Sequence, residues 1–378
     1  MQRNKRKYTW VMPVCMVMYG VFFGAAVAWF MDDWGLYEAD TGTMILCIIH
    51  FVIAIVGTYI VQTMIHEVGH MICGLLSGYH VCSFRIFSFA WVKKEKICFQ
   101  RMSVAGTSGQ CLMVPPELID GKMPFVLYNL GGVIANLLTA VLLGIYYWYF
   151  VYDFDEAVIV CSMVITGMFL VLQNGIPFPM QMIDNDACNT VSLLRNPEAV
   201  CSFWVQLKVN EWSIKGVRLK DMPAEWFAVP CDETATDIMT TTVGVLACNR
   251  LMDEKRFEEA EQWMQHMLTS DCEMTGLQRG LVLCNCIYLE AIAANRQERL
   301  HALLTAQQKQ FMRKASTNLS VMRTEYALAC RENKQKADAI QTRFEAYAKK
   351  CLYLADVQSE RELIEIAEQK AIGKEPEL

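Results

Sequence analysis

Residues 43–78 read TMILCIIHFVIAIVGTYIVQTMIHEVGHMICGLLSG, an apolar run of 36 residues with a single acid, Glu67, well inside it. A helix rises about 1.5 Å per residue and about 20 residues cross the hydrocarbon of a bilayer, so the run predicts a spanning helix that must tilt, kink or protrude. An ionisable side chain at that depth is costly, which makes Glu67 a functional-site candidate. It lies in Met64-Ile65-His66-Glu67-Val68-Gly69-His70-Met71, the pattern H-E-x-x-H. Residues four apart share a helix face, so both imidazoles can reach one Zn²⁺ while Glu67, one position on, can touch a water on that ion. Zn²⁺ lowers the pKa of such a water to about 7, and Glu67 can take the proton and later deliver it to a leaving amine. The chemistry implied is metal-assisted hydrolysis.

Three further apolar runs, Trp10 to Met31, Phe125 to Phe150 and Ala157 to about Met180, bring the predicted spans to four. A cleavable signal peptide competes for the first, but that run is longer than a signal h-region and a charged loop follows it. Basic residues alternate between loops. Arg3, Lys5, Arg6 and Lys7 precede the first span, whereas the next loop has only Asp32, Asp33, Glu38 and Asp40. Arg85, Lys93, Lys94, Lys96, Arg101 and Lys122 follow the second span, and Asp153, Asp155 and Glu156 precede the fourth. The positive-inside rule then puts both termini and the 79–123 loop in the cytoplasm.

Composition divides the chain in the same place. Residues 1–186 carry 10 Lys+Arg and 13 Asp+Glu, against 24 and 27 in residues 187–378, so the first half is membrane-like and the second reads as soluble. A mean hydropathy of +0.22 excludes a disordered chain, and a net charge of −6 argues against nucleic acid as a partner. The 16 cysteines are scattered without paired spacing and read as reduced thiols.

A catalytic zinc needs a third protein ligand and an open position. Candidates follow the fourth span in Asn174-Gly175-Ile176-Pro177-Phe178-Pro179-Met180-Gln181-Met182-Ile183-Asp184-Asn185-Asp186-Ala187, where two prolines break the helix and Asp184 and Asp186 stand at its cytoplasmic end. Two ordinary aspartates in a solvated loop are the bland alternative. His50 lies 16 residues before His66, about 160° round the helix. His80 lies past Gly78, and His266 and His301 sit on polar helices, so none of these is a good ligand.

These segments resemble the site-2-protease family of zinc intramembrane peptidases. The resemblance rests on Ile65-His66-Glu67-Val68-Gly69-His70 through Tyr79, on Gly131-Gly132-x-x-x-Asn136, and on Asn174-x-x-Pro177 through Asp186, and covers roughly residues 43–225. It implies zinc held by His66, His70 and Asp186, with Glu67 catalytic. Relatives commonly end the last motif in Asp-Gly where this chain has Asp186-Ala187, so Asp184 stays as the alternative ligand. The resemblance also suggests that the loop after the second span, whose β-prone runs Phe84 to Trp91 and Lys96 to Val104 flank the turn 92–95 as a hairpin, holds an unfolded substrate by strand addition. A surface hairpin on lipid headgroups is the alternative. Asn136 would contact substrate or oxyanion, or glue helices together.

From about Thr234 the pattern becomes amphipathic helices with short polar breaks: Val243 to Leu251, Arg256 to Leu268, Leu281 to Ala294, Arg296 to Met312, Ser320 to Cys330 and Lys336 to Cys351. Leu251-x5-Phe257-x-x-Ala260 is similar to a tetratricopeptide helix-turn-helix, which implies a surface for a cytoplasmic partner or substrate tail; a plain helical bundle is the alternative. The expected chain is therefore mainly α. It has a first span and outer loop (1–42), a zinc peptidase membrane core (43–190), a linker (191–233) and a helical domain (234–378). The expected activity is cleavage of a membrane-embedded or membrane-associated peptide near the cytoplasmic leaflet. A catalytically idle membrane scaffold is the main rival, and maturation of a small secreted peptide shares the chemistry.

Overall fold

The computed structural model describes residues 11–93, 97–101, 108–177, 184–228, 238–270, 272–293, 297–351 and 353–373. Four of its helices are long and apolar enough to cross a membrane: α1 (Val11–Asp33), α2 (Thr41–Leu76), α3 (Val126–Phe150) and α4 (Phe154–Gly175). Acids start two of these helices. Asp40 accepts from the backbone N–H of Gly42 and Thr43, and Asp153 from that of Glu156, satisfying donors that a helix N-terminus leaves open. Helices α2, α3 and α4 pack on one another. A Cβ on Gly69 would lie 2.4 Å from the Gly131 carbonyl oxygen, and one on Gly131 would lie 2.5 Å from that of Gly69. Backbone therefore meets backbone where α2 crosses α3, as small residues allow between membrane helices.

Between α2 and α3 the chain forms an antiparallel sheet of four strands, β1 (His80–Ile86), β2 (Phe89–Lys93), β3 (Ile97–Arg101) and β4 (Gly109–Val114), in the order β3-β2-β1-β4. The expected hairpin is present as β2 against β3, with Lys93 opposite Ile97, and two further strands extend it into a larger sheet. The run Phe84 to Trp91 folds back on itself, with Ile86 opposite Phe89, and Phe87 takes the positive φ (50°) that so tight a turn needs. Phenylalanine is a poor signal for that conformation, so nothing in the sequence marked the turn. Lys94 and Glu95, where the expected turn falls, lie outside the described residues.

The remaining helices are α5 (Asp186–Arg195), α6 (Pro197–Ile214), α7 (Ile238–Asp253), α8 (Phe257–Thr269), α9 (Gly276–Ile292), α10 (Gln297–Leu303), α11 (Ala306–Lys314), α12 (Leu319–Glu332), α13 (Lys334–Ala348) and α14 (Leu354–Ala371). The stretch expected to be a linker contains α6. Its Phe203, Trp204 and Leu207 share one core with Tyr79 just before the sheet, Met113 of β4, Tyr128 of α3, and Met239 and Val243 of α7. The single helix expected from Arg296 to Met312 is two, because Thr305 accepts from Gln308 N–H and caps a new start. A second core, including Met264, Tyr288, Tyr326, Phe344 and Ile364, joins α8, α9 and α12 to α14.

Candidate metal centre

Among the described residues one group of His, Cys, Asp or Glu side chains can share a metal ion: His66, His70 and Asp186. Helix α2 supplies the histidines one turn apart, and Asp186 is the first residue of α5. His66 Nε2 lies 3.1 Å from His70 Nε2 and 3.1 Å from Asp186 Oδ2, and His70 Nε2 lies 3.4 Å from the same oxygen. The histidines are buried and Asp186 is largely so.

Hydrogen bonds behind the rings fix what each nitrogen offers. His66 Nδ1 is 2.7 Å from Asn136 Oδ1, and His70 Nδ1 is 2.8 Å from the Tyr128 carbonyl oxygen. Both partners are acceptors, since Asn136 spends its Nδ2 donors on the Gln62 carbonyl (2.9 Å) and on Gln62 Oε1 (2.7 Å). Each Nδ1 therefore carries the proton, and each Nε2 turns a lone pair toward the other and toward the carboxylate. Asp186 Oδ2 has no hydrogen-bond donor of its own among the described residues. Three acceptors in mutual contact repel unless positive charge sits among them, and a metal ion or protons on the rings would supply it. With protons on the rings, burial raises the Asp186 carboxyl but the positive imidazoles outweigh it and hold the group well below the usual carboxylate range.

Asp186 reaches the histidines because Asn185 fixes the start of α5. The Asn185 amide donates to the carbonyls of Gln173 (2.8 Å) and Ile176 (2.7 Å) at the end of α4, while its Oδ1 caps Cys188 N–H. Asp184, the other expected ligand, lines the same cavity of about 370 Å³ but lies outside the ligand cluster. Most of the broken segment between them and α4, 178–183, lies outside the described residues.

Glu67 is buried on the cavity wall, pressed against β4. A Cβ on Gly109 would fall 2.3 Å from Glu67 Oε1, so the bare glycine leaves Glu67 its place against the strand. A Cβ on Gly132 would likewise fall 2.5 Å from the His66 ring. Arg85, read from sequence as one of several loop cations, is fully buried behind this wall and donates to the carbonyls of Phe87 and Gly109.

Asn136 stands behind His66, fully buried and outside the cavity lining, where it orients a ring and joins helices. Sequence reading gave no role to Gln62, Asn185 or Gly109. Gln62 was findable, because it precedes His66 by one turn and is the only amide side chain in residues 43–78. His50 sits 3.5 Å from Asp155 at the other end of α2, away from the cluster. Comparison with protein-family models finds no match, and comparison with curated proteins and with solved structures finds none either.

Proposed function

We propose that the chain is a zinc-dependent intramembrane endopeptidase that hydrolyses peptide bonds in a membrane-embedded or membrane-associated segment near the cytoplasmic leaflet. One observation carries the reading: three lone-pair atoms of His66, His70 and Asp186 converge at 3.1–3.4 Å beside a bundle of long apolar helices. Ligand atoms about 2.0 Å from a tetrahedral zinc stand about 3.3 Å apart, so the spacing favours that ion. When bound, zinc supplies Lewis acidity toward a carbonyl and a water of lowered pKa. Glu67 does the proton work: it accepts the proton of the attacking water and returns it to the departing amine. Asn136 and the Tyr128 carbonyl hold the ring tautomers. The outer strand of the sheet, β4, runs beside Glu67 with Gly109 to Leu112 on the cavity wall, a site where an unwound substrate strand can add.

The helical region after residue 238 supplies a cytoplasmic surface in this reading, with tetratricopeptide-like repeats as the proposed organisation. A catalytically idle scaffold predicts a different outcome, since it has no use for a buried Glu67. Glu67→Gln should retain metal and fold while slowing cleavage of a single-span test substrate by about 10²- to 10⁴-fold. His66→Ala should lose the metal as well. A Glu67→Gln protein as active as its parent would leave the scaffold reading preferred.

A further inference from the structure

A second cavity, of about 490 Å³, lies where β4 and α6 meet the C-terminal helices. Gln110 of β4 and Asn210 of α6 line both this cavity and the metal cavity, so the two share a wall. Its far side is polar. Arg323 of α12 is fully buried there, stacked 4.3 Å from the Tyr288 ring centroid. Its Nη2 donates to Asn285 and its Nε lies 3.1 Å from Glu360, but its Nη1 has no hydrogen-bond acceptor among the described residues. Leaving a guanidinium N–H buried and unmet is expensive, and such a group asks for an acceptor from outside the chain.

The carboxylates of the cavity are not equivalent. Asp253 is bonded by Arg218 and by Lys220 N–H, and Glu360 accepts from Ser320 Oγ at 2.6 Å. Asp356, at the start of α14, has no cation beside it among the described residues; its electrostatic neighbours are Glu360 and Asp253, both acids. Burial and those two neighbours push its carboxyl up to about 7. A cavity with an unmet donor on one wall and an unpaired acid on another fits a peptide that brings main-chain carbonyls together with a basic side chain.

Resting on the peptidase reading above, we propose that this cavity receives the basic juxtamembrane tail of the peptide whose membrane segment reaches His66 and His70, with a main-chain carbonyl on Arg323 and a Lys or Arg side chain on Asp356. The charge sign agrees with topology. The positive-inside rule that orients this chain also gives a spanning substrate Lys and Arg on the same face of the membrane. Gln110 and Asn210 set the two cavities side by side, so an extended peptide seated in one lies within reach of the other.

The test uses the full chain in nanodiscs and a fluorescent octapeptide of alternating Lys and Ser, compared with its Gln-for-Lys analogue near physiological ionic strength. The Lys peptide should bind the parent roughly tenfold or more tighter than the Gln peptide, and Asp356→Asn should abolish the difference. Asp338→Asn, at an exposed position of α13 outside the cavity, should preserve it. If Asp356→Asn fails to fold, a benzophenone on the Lys peptide should label residues 315–363 of the parent. Equal binding of both peptides, an unaltered difference in folded Asp356→Asn, or labelling confined to other segments would overturn the proposal. Binding is read in Glu67→Gln as well, where it should be unchanged. A chain that lacks peptidase activity but still discriminates the peptides would therefore sink the peptidase reading alone.

Discussion

At the scale of single residues the centre depends on side chains that never touch its cavity. Asn136 fixes the tautomer of His66 and is itself fixed by Gln62, whose Nε2 donates to the Met163 carbonyl on α4 at 2.9 Å. Asn136→Ala should weaken metal binding by about 10- to 100-fold, as loss of such an orienting partner commonly does, without removing a ligand. Metal titration of the purified variant checks this, and parental affinity would refute the orienting role. Gly132 gives a second, steric test. Its Cβ would meet the His66 ring, whereas a Cβ on Gly144 of the same helix meets nothing within 4 Å. Gly132→Ala should lose metal and Gly144→Ala should not. Of the two aspartates, Asp186→Ala should lose metal and activity together, and Asp184→Ala should keep the metal; the reverse pattern would reassign the third ligand.

Among elements, ion pairs reinforce the apolar packing of the last helix. Arg218, ahead of α7, pairs with buried Asp253 of α7 and with Glu362 of α14, and Lys255 joins Glu362 at 3.1 Å. Arg218→Met would strand Asp253 without its cation, at a cost of about 3–5 kcal/mol by the usual penalty for breaking a buried pair. Thermal unfolding in detergent should show that loss as a lowered midpoint. Acid should loosen the same joint. The hydrogen bond from Arg218 holds Glu362 down to about 2, so this contribution is complete above the ordinary glutamate pKa of about 4.3 and fades as pH falls toward 2. A midpoint that does not fall with pH in that window, or an unaffected Arg218→Met, would show that α14 is held by its apolar face alone.

For the whole molecule, four apolar helices and a metal-capable cluster between them make orientation the question with most consequence. Alternation of Lys and Arg between loops predicts that a cysteine replacing Tyr37 or Tyr152, both exposed, reacts with an impermeant maleimide from outside intact cells. One replacing Ser88 or Leu194 should react only after permeabilisation. Labelling of Ser88→Cys in intact cells would invert the proposed topology and move the cleavage site to the other leaflet. The continuous core from Tyr79 through Phe203 to Val243 also ties the membrane half to the C-terminal helices. Truncation before residue 238 should therefore destabilise the sheet and the metal centre along with the removed part.

The sequence alone determined the four long helices, because apolar runs of that length leave the backbone no other way to satisfy its hydrogen bonds in lipid. It also determined that His66 and His70 share a face, since the α-helical period requires it. Only the tertiary structure decided which aspartate joins them. Asp184 and Asp186 are two residues apart, and the choice is made by Asn185, which bonds carbonyls of α4 nine and twelve residues back. The four-stranded sheet was likewise hidden, because its first turn rests on a phenylalanine at positive φ and β4 pairs with β1 across more than twenty residues of chain. Periodicity reports contacts within one element. The pairing of Arg323 and Asp356 around one cavity, or of Gly109 with Glu67, depends on where separate elements come to rest against each other.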